Sequence, residues 1–471
     1  MFYCYVSFGS NFIPYVELGQ ITSNAAKGIF VLLKVNMQTT NPVKANARFA
    51  FILVTSLFFL WGFSNNLNPI LIPHLKKSFT LTTTQSTLID SAVYIAYFLM
   101  ALPAGYVMKR FGYKIGIIAG LLLFSIGAYL FIPAANTQSY TFFLFALFVI
   151  ACGLGFLETA ANPYAAALGP HETSTQRLNL AQSFNGLAAA LAPLIGGKII
   201  LTQNYSEAQL NAMTADAKKF ALASEASSVK TPYFILGTIL LIIAVAFALT
   251  KLPKIQHKET GRKKSQNIVH AFKHRHLTWS VIAQFFYVGA QVCVMSLFVL
   301  YAPKSADITE EKATVMLAAC GFAFLVGRFA GTFLMKFIKP NRLLAIYAVI
   351  NILLCIVAIA AHGMITVYAV IGICFFMSIM FPTIFALGIK NLGGDTEYGS
   401  SLLIMSIVGG AILPRVFGII SDSTGNIQLG YIVPFICFVV IAYFGWKGYK
   451  TIDVANLEFE KEPSLAATIS H

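Results

Sequence analysis

Charged residues of either sign are scarce in this chain, and acidic ones most of all. Only 11% of the 471 residues are Asp, Glu, Lys or Arg, whereas 57% are hydrophobic. An ordinary soluble domain has about 25% charged residues, so this composition excludes that class. Apolar runs of about 20 residues recur along most of the length, which is the length needed to cross a bilayer as a helix. The runs are continuously apolar rather than alternating, which favours helices over a barrel. The sequence predicts a polytopic, all-α membrane protein.

Several kinds of chemical site are also missing. The seven cysteines include no CxxC pair, and all but Cys4 lie in apolar segments, so we expect neither disulfides nor cysteine metal ligands. Gly196-Gly197-Lys198 is not a P-loop, because Ala192 and Ile199 stand at required Gly and Ser/Thr positions. The eight histidines include no HExxH motif. We therefore expect no cofactor, no metal and no enzymatic activity, and the missing nucleotide site argues against a primary pump.

The net charge of +15 does not indicate a nucleic-acid partner. The basic residues are spread among short segments between apolar runs, as the positive-inside rule produces. The segment 253–277 is strongly basic and is expected to be a cytoplasmic linker, whereas 202–231 has balanced charge and suits the outer face. We expect a bacterial-type inner (plasma) membrane location with both termini in the cytoplasm.

The apolar runs predict twelve spans in two six-helix halves. The expected spans are 49–74, 84–108, 115–134, 141–168, 178–201, 232–252, 278–302, 312–338, 343–362, 365–389, 398–421 and 429–449. The expected units are an N-terminal arm (1–46), a first bundle (47–252), the linker (253–277), a second bundle (278–450) and a cytoplasmic tail (451–471). Residues 1–36 hold no motif, so they are interpreted as an over-extended start or a disordered arm.

The two halves look like weak copies of one unit. Ala104-Gly105 in the first half is matched by Ala330-Gly331 in the second, and Asn162-Pro163 by Phe381-Pro382. Pro193 with Gly197 is matched in the same order by Pro414 with Gly418. Two six-helix repeats related by an axis along the membrane normal describe the major facilitator fold, with a central cavity between the bundles.

Glu158 is the one charged residue between Lys114 and His171. A carboxylate inside a span costs about 2.5–3.5 kcal/mol on insertion scales, and such residues usually face a cavity or the bundle interior. The sequence therefore indicates a transport or proton-relay site at Glu158. The alternative is a protonated Glu that makes a structural hydrogen bond between helices.

Amide side chains are unusually frequent inside the predicted spans. A monosaccharide needs groups that both donate and accept hydrogen bonds, together with an aromatic plate for its C–H face. Gln182 and Asn185 share one face of the fifth helix. Gln284 and Gln291 share a face of the seventh, with Tyr287 between them. The other candidates are Asn65, Asn66 and Asn68. The alternative role of each amide is hydrogen bonding between helices; Arg328 and Arg415 are interpreted as structural.

Five motifs resemble the L-fucose permease family of fucose-galactose-glucose:proton symporters. They are Phe58-Phe-Leu-Trp61-Gly-Phe-Ser-Asn65-Asn66-Leu-Asn68-Pro69, Gly155-Phe-Leu-Glu158-Thr-Ala-Ala-Asn162-Pro163, Arg177-Leu-Asn179-Leu-Ala-Gln182-Ser-Phe-Asn185, Ala283-Gln284-Phe-Phe-Tyr287-Val-Gly-Ala-Gln291 and Pro382-Thr-Ile-Phe-Ala-Leu-Gly-Ile-Lys390-Asn391. The resemblance implies a cavity lined by Trp61, Asn66, Glu158, Gln182 and Asn185. The loop Gly105…Lys109-Arg110-Phe-Gly112-Tyr-Lys114 resembles the superfamily signature, with Lys109 in place of its usual Asp; a plain basic turn is the alternative.

Two departures from the family pattern leave details open. Pro69 replaces an Asp that the family ties to proton coupling, and Phe381 replaces a Tyr of the tenth helix. Asp90, at a similar depth on the neighbouring second helix, is the candidate that stands in for the missing acid. The alternative is that Asp90 is a solvated acid at the helix end.

The resemblance implies a secondary active transporter that imports a neutral monosaccharide with a proton by alternating access. L-Fucose is favoured, with galactose or glucose as the other sugars of the family. The alternatives are a passive uniporter, an N-acetylhexosamine transporter of the same family or, least favoured, a sugar receptor that does not transport. The expected partners are the sugar, a proton and the lipid bilayer, and the chain is expected to be a monomer.

Overall fold

All regular secondary structure in the described part of the chain is helical. The computed structural model describes residues 42–66, 83–200, 213–227, 229–253 and 268–451. The arm 1–36, Asn68, Pro69, most of the 253–277 linker and nearly all of the tail lie outside these ranges. The side chains of Asn65 and Asp90 are likewise outside the description.

The first half contains six long helices. They are α1 (Pro42–Asn65), α2 (Thr83–Phe111), α3 (Tyr113–Thr137), α4 (Tyr140–Ala167), α5 (Ser174–Ile200) and α6 (Lys230–Leu249). A short helix, Ala215–Ser227, precedes α6. Gly112 is the single residue between α2 and α3, and its φ of 84° lies in the left-handed region that glycine tolerates best. This glycine lets the chain reverse direction without a longer loop.

The second half repeats the pattern, with more interrupted helices. The helices are α7 (Arg275–Ser296, continued by Phe298–Ala306), α8 (Glu310–Leu334), α9 (Pro340–Ala360), α10 (Met364–Met377 and Met380–Gly388), α11 (Thr396–Met405 and Gly409–Thr424) and α12 (Ile432–Tyr443, with a π-turn at Phe444–Gly448). The break in α10 falls at Ser378 and Ile379, and the break in α11 is a 3₁₀ turn, Ser406–Val408.

Ten stretches among the described residues are long and apolar enough to cross a membrane. They belong to α2–α4 and α6–α12. Helix α1 contributes a shorter apolar stretch, Arg48–Ser64. Helix α5 has 27 residues, which at 1.5 Å per residue is about 40 Å of helix. Each of the twelve predicted spans therefore overlaps a long helix, although the count of twelve crossings stays a prediction.

Two apolar clusters form the core, one centred on each half. Phe131 of α3 stacks on Tyr233 of α6 in the first, with ring centroids 3.8 Å apart. Tyr301 at the end of α7 contacts Tyr431 before α12 in the second, at 4.5 Å. Glycines allow the closest helix contacts, since a Cβ added to Gly153 of α4 would lie 2.5 Å from the Phe124 backbone nitrogen of α3. Close backbone approach at small residues is the usual basis of helix association in lipid.

Alternate helix ends share one face of the molecule, here called the basic face. It carries the connections α2–α3, α4–α5, α8–α9 and α10–α11, the start of α7 and the end of α12. Its described basic residues include Lys109, Arg110, Lys114, Lys251, Lys273, Arg275, Lys336, Lys339, Arg342, Lys390 and Lys447. The opposite face has mixed charge in its described residues, such as Asp216, Lys218, Asp307 and Lys312.

Hydrogen bonds between the halves cluster near the basic face. Gln176 Nε2 of α5 donates to the Thr332 carbonyl of α8 at 3.3 Å, and Asn179 Nδ2 donates to Thr383 Oγ1 of α10 at 3.1 Å. Ser400 Oγ of α11 donates to the Thr159 carbonyl of α4 at 2.6 Å. These residues lie within the third of each helix nearest the basic face, so the halves are closed against each other there.

Candidate functional site

A cavity lies between the halves, from mid-depth towards the opposite face. Its lining comes from α1, α2, α4 and α5 of the first half and from α7, α8, α10 and α11 of the second. The lining residues are Trp61, Asn66, Val93, Tyr94, Tyr97, Glu158, Gln182, Asn185, Val288, Gln291, Val292, Arg328, Phe381 and Ile407. More than half of these side chains carry a polar group, which suits a small polar solute more than a lipid.

Glu158 supplies the one carboxylate among the described residues that line this cavity. Its side chain is buried, with 9% of the residue exposed. The hydroxyl of Tyr97 on α2 donates a hydrogen bond of 2.9 Å to Glu158 Oε1. A buried acid with one hydroxyl donor and an open side towards a cavity can bind and release a proton there.

The amides of α5 form the polar wall next to Glu158. Gln182 and Asn185 are three residues apart on one helix face and both line the cavity. Gln182 Nε2 donates to Asn162 Oδ1 of α4 at 2.9 Å, and Asn162 Nδ2 donates to the Glu158 carbonyl at 2.8 Å. Asn162 is fully buried, so its hydrogen bond with Gln182 fixes the orientation of the Gln182 amide.

Asn66 directly follows the last residue of α1 and lines the cavity. Its Nδ2 donates to the Gly62 carbonyl at 2.6 Å, whereas its buried Oδ1 has no hydrogen-bond partner among the described residues. A buried amide oxygen without a partner is costly. A hydroxyl group of a bound solute would satisfy it.

Aromatic rings supply the flat apolar surfaces of the cavity. Trp61 is almost wholly buried and packs on Phe58, with ring centroids 4.2 Å apart. Phe381, just after the break in α10, also lines the cavity and has Tyr287 behind it at 6.2 Å. Rings fixed in this way can cover the C–H face of a sugar ring, while the amides contact its hydroxyls.

The predicted residues of α7 separate into two groups. Gln291 lines the cavity, whereas Gln284 and Tyr287 do not. Both are fully buried, and neither the Gln284 amide atoms nor the Tyr287 hydroxyl has a hydrogen-bond partner among the described residues. Gln284 lies two turns closer to the basic face than Gln291, where the halves are packed together. Tyr287 packs in the apolar cluster centred on the second half, with Phe381 as a ring neighbour, so its burial arises within that half.

The loop motif lies at the basic face, away from the cavity, and contacts the other half. A Cβ added to Gly105 would lie 2.1 Å from Ser401 Oγ of α11, so α2 and α11 touch at this glycine. Lys109 Nζ stands 4.5 Å over the ring of Tyr398. Arg110 Nη1 donates to the Tyr106 hydroxyl at 3.0 Å, and Lys114 Nζ donates to the Ala248 carbonyl at 2.7 Å. The contacts of Gly105 and Lys109 join the two halves, whereas those of Arg110 and Lys114 lie within the first half.

Three polar lining residues were not predicted as site residues from the sequence: Tyr94, Tyr97 and Arg328. Arg328 was interpreted as structural, and it does bind backbone. Its Nε donates to the Ser378 carbonyl at the break of α10 (2.8 Å), and its Nη1 donates to the Gln182 carbonyl of α5 (2.9 Å). A signal existed, because Arg328 is the one charged residue between Lys312 and Lys336.

Comparison with known proteins agrees with this architecture. Residues 53–402 match the model of the Major Facilitator Superfamily. The chain belongs to this superfamily. An L-fucose-proton symporter of Escherichia coli (strain K12) is 44% identical over 84% of this chain and 92% of its own length. A glucose/galactose transporter of Brucella abortus is 40% identical over 89% of this chain and 100% of its own.

Solved structures of the superfamily give the same result. The crystal structure of the transporter FucP in the outward conformation is 43% identical, covers 86% of this chain and 100% of that one, and superposes with a TM-score of 0.81. A double Trp mutant of XylE is 14% identical with a TM-score of 0.63, which supports the fold alone. The predicted resemblance and the major facilitator fold are confirmed. Because its family and relatives are transporters, this superfamily member is a multi-pass membrane transporter and not an enzyme.

Proposed function

We propose that the chain imports a neutral monosaccharide together with a proton by alternating access. L-Fucose is the favoured sugar, and galactose or glucose are the next candidates, because relatives at 44% and 40% identity carry these names. The observation that carries the proposal is the cavity in which one buried carboxylate, Glu158, lies beside the amides of Gln182 and Asn185. Sugar and proton would share this cavity.

The sugar is held by amides on one side and rings on the other. Gln182 and Asn185 of α5 and Gln291 of α7 face each other across the boundary between the halves, and the Oδ1 of Asn66 accepts a hydroxyl. Trp61 and Phe381 cover the apolar faces of the ring. Asn65, Asn68, Gln284 and Tyr287 remain proposed sugar ligands; the last two can reach the sugar only if the packing around them opens.

The proton is carried by Glu158. Tyr97 donates to the carboxylate at 2.9 Å, so the Tyr97 hydroxyl stabilises the ionised form after the proton has left. Asp90 on α2 is proposed as a second acid that carries or gates the proton in place of the acid missing at Pro69. The membrane potential contributes about 2.3 kcal/mol per charge per 100 mV.

Transport proceeds by rocking of the two bundles, proposed as residues 47–252 and 278–450, around this central site. The contacts of Gln176, Asn179 and Ser400 between the halves hold the basic face closed in the present structure. The lining residues extend from mid-depth towards the opposite face, so this state binds solute from that side. Rupture of these contacts would open the basic face.

The basic face is proposed to be cytoplasmic, because Lys and Arg are retained on that side of bilayer proteins. With this orientation, both termini would lie on the cytoplasmic side of a bacterial-type inner membrane. A monomer in the bilayer suffices, since the cavity is formed within one chain.

A proteoliposome panel tests the proposal. Purified protein is reconstituted, and uptake of labelled L-fucose, D-galactose, D-glucose and an N-acetylhexosamine is measured with and without an inward proton gradient. We expect one of the first three sugars to accumulate only with the gradient. Equilibration without accumulation would support the passive uniporter, for which Pro69 at the position of the family acid is the argument. Binding without uptake would identify a receptor.

A further inference from the structure

Three ionisable side chains converge at the basic face, outside the sugar cavity. His270 lies in the short helix Ile268–Ala271, His274 immediately precedes α7, and Asp395 immediately precedes α11. His270 Nδ1 is 2.7 Å and His274 Nε2 is 3.2 Å from the same carboxylate oxygen, Asp395 Oδ2. The three ligand-type atoms lie within 4.8 Å of one another. Because Asp395 lies 125 and 121 residues from the two histidines along the chain, only the folded chain assembles this cluster.

The carboxylate of Asp395 is buried, and only one of its two oxygens has hydrogen-bond partners among the described residues. Its side chain is 3% exposed, and its other oxygen, Oδ1, has no hydrogen-bond partner among the described residues. Buried polar atoms without a partner are rare in folded proteins, and a bound ion or water beside the carboxylate is one explanation. The side chain of His270 is 42% exposed, so the cluster is open to solvent on one side.

We propose that His270, His274 and Asp395 form a binding site for a divalent transition-metal ion of the Zn²⁺ class. Two imidazole nitrogens and one carboxylate are a common Zn²⁺ ligand set with one position open for water. Bonds of about 2.0–2.2 Å in a tetrahedral site place neighbouring ligand atoms about 3.3 Å apart. The observed 2.7 and 3.2 Å separations from Asp395 Oδ2 are close to this value, and the two imidazole nitrogens lie within 4.8 Å of each other.

The ligand set also favours Zn²⁺ over the abundant hard cations Mg²⁺ and Ca²⁺. Mg²⁺ and Ca²⁺ prefer oxygen ligands, and this cluster offers two nitrogens and a single carboxylate. Zn²⁺ would replace the two N–H···O hydrogen bonds to Asp395. The nitrogen that faces Asp395 must give up its proton to bind Zn²⁺, so each neutral imidazole changes tautomer by exchange with water and carries its proton on the other ring nitrogen. Zn²⁺ and one carboxylate then leave a net charge of +1.

The site would connect the start of α7 to the start of α11, which both lie at the basic face. The histidines lie at the start of α7, and Asp395 begins α11, whose Ser400 donates to the Thr159 carbonyl of the other half. A bound ion links the start of α7 to the start of α11. Because a ligand that binds only the folded state stabilises it, Zn²⁺ should raise the melting temperature.

Isothermal titration of the full chain in detergent tests the proposal directly. Any polyhistidine tag is removed, the protein is stripped with EDTA and dialysed, and ZnSO₄ is titrated in the presence of excess Mg²⁺. We expect one Zn²⁺ per chain, a Zn²⁺-dependent rise in melting temperature, and no competition by Mg²⁺. His270→Ala should weaken binding at least tenfold, since even indirect ligand partners change affinity by about 10–100-fold.

His362→Ala is the matched control, because His362 is an exposed histidine at the opposite face. It should leave the affinity unchanged. Co²⁺ substituted into the site should give the visible absorption of nitrogen and oxygen ligation, and His274→Ala should abolish it. Absence of Zn²⁺ binding to the stripped protein would overturn the proposal, as would equal affinity in the parent, His270→Ala and His274→Ala.

Discussion

Replacement of Glu158 by Gln should separate sugar binding from proton coupling. Glu158 is the one carboxylate among the described cavity-lining residues. Gln has nearly the same size as Glu and, like a protonated Glu, carries no charge. The hydrogen bond from Tyr97, 2.9 Å in the parent, can still be made to the amide oxygen. We therefore expect sugar binding and sugar exchange to persist in Glu158→Gln, while accumulation against a gradient is lost.

The size of the loss follows from the charge that is moved. One proton per sugar and a potential of 100 mV supply about 2.3 kcal/mol. Since 1.4 kcal/mol is a factor of ten in an equilibrium, the parent should concentrate sugar about 40-fold. Glu158→Gln should reach only the external concentration, a ratio of about one, because no other described cavity acid replaces the lost carrier.

The assay is uptake of labelled sugar by proteoliposomes under an imposed potential and pH gradient, with counterflow measured in parallel. Glu172→Gln is the control, because Glu172 is an exposed acid between α4 and α5 at the basic face; it should accumulate sugar like the parent. Accumulation of sugar above the external level by Glu158→Gln would refute the role of this residue as proton carrier.

Three further variants test the remaining parts of the site. Gln182→Ala removes one or two hydrogen bonds to the sugar and leaves Asn162 Oδ1 without its 2.9 Å donor; at about 0.5–1.5 kcal/mol per bond, affinity should fall about 2–150-fold, and an unchanged Kd would make this amide structural. Gly62→Ala would place a Cβ 2.9 Å from Asn185 Cγ, so it should displace Asn185 and weaken sugar binding, whereas Gly418→Ala, where no atom lies within 4 Å, should bind normally; equal Kd values for the two variants would contradict the role of this contact. Asp90→Asn should abolish uptake driven by the pH gradient while sparing exchange, and normal accumulation in this variant would make Asp90 a solvated acid only.

The sequence was sufficient for the fold class and for the core of the site. Apolar runs near 20 residues have few structural solutions in a bilayer, because every backbone hydrogen bond must be made within the span. Glu158 could be identified because a charge is costly inside such a run. The spacing of Gln182 and Asn185 placed them on one face of a helix, and the structure brings both of them to the cavity.

Only the tertiary structure decided which polar residues meet. Gln284 and Gln291 share a helix face, yet Gln284 is fully buried away from the cavity and Gln291 lines it. The sequence could not report this, because helical spacing fixes a direction but not how far a cavity extends along it. Tyr97 reaches Glu158 from another helix, 61 residues away along the chain, a contact without local signal.

The same reason applies to the histidine–aspartate cluster. His270 and His274 have the i, i+4 spacing of a possible ligand pair, but Asp395 belongs to the connection between α10 and α11, so the sequence does not show that the three residues meet. Local spacing determined the helices, the buried acid and the amide faces of this protein. The packing of two six-helix bundles decided which of those faces became a cavity, which became a closed contact, and which distant side chains came within bonding distance of each other.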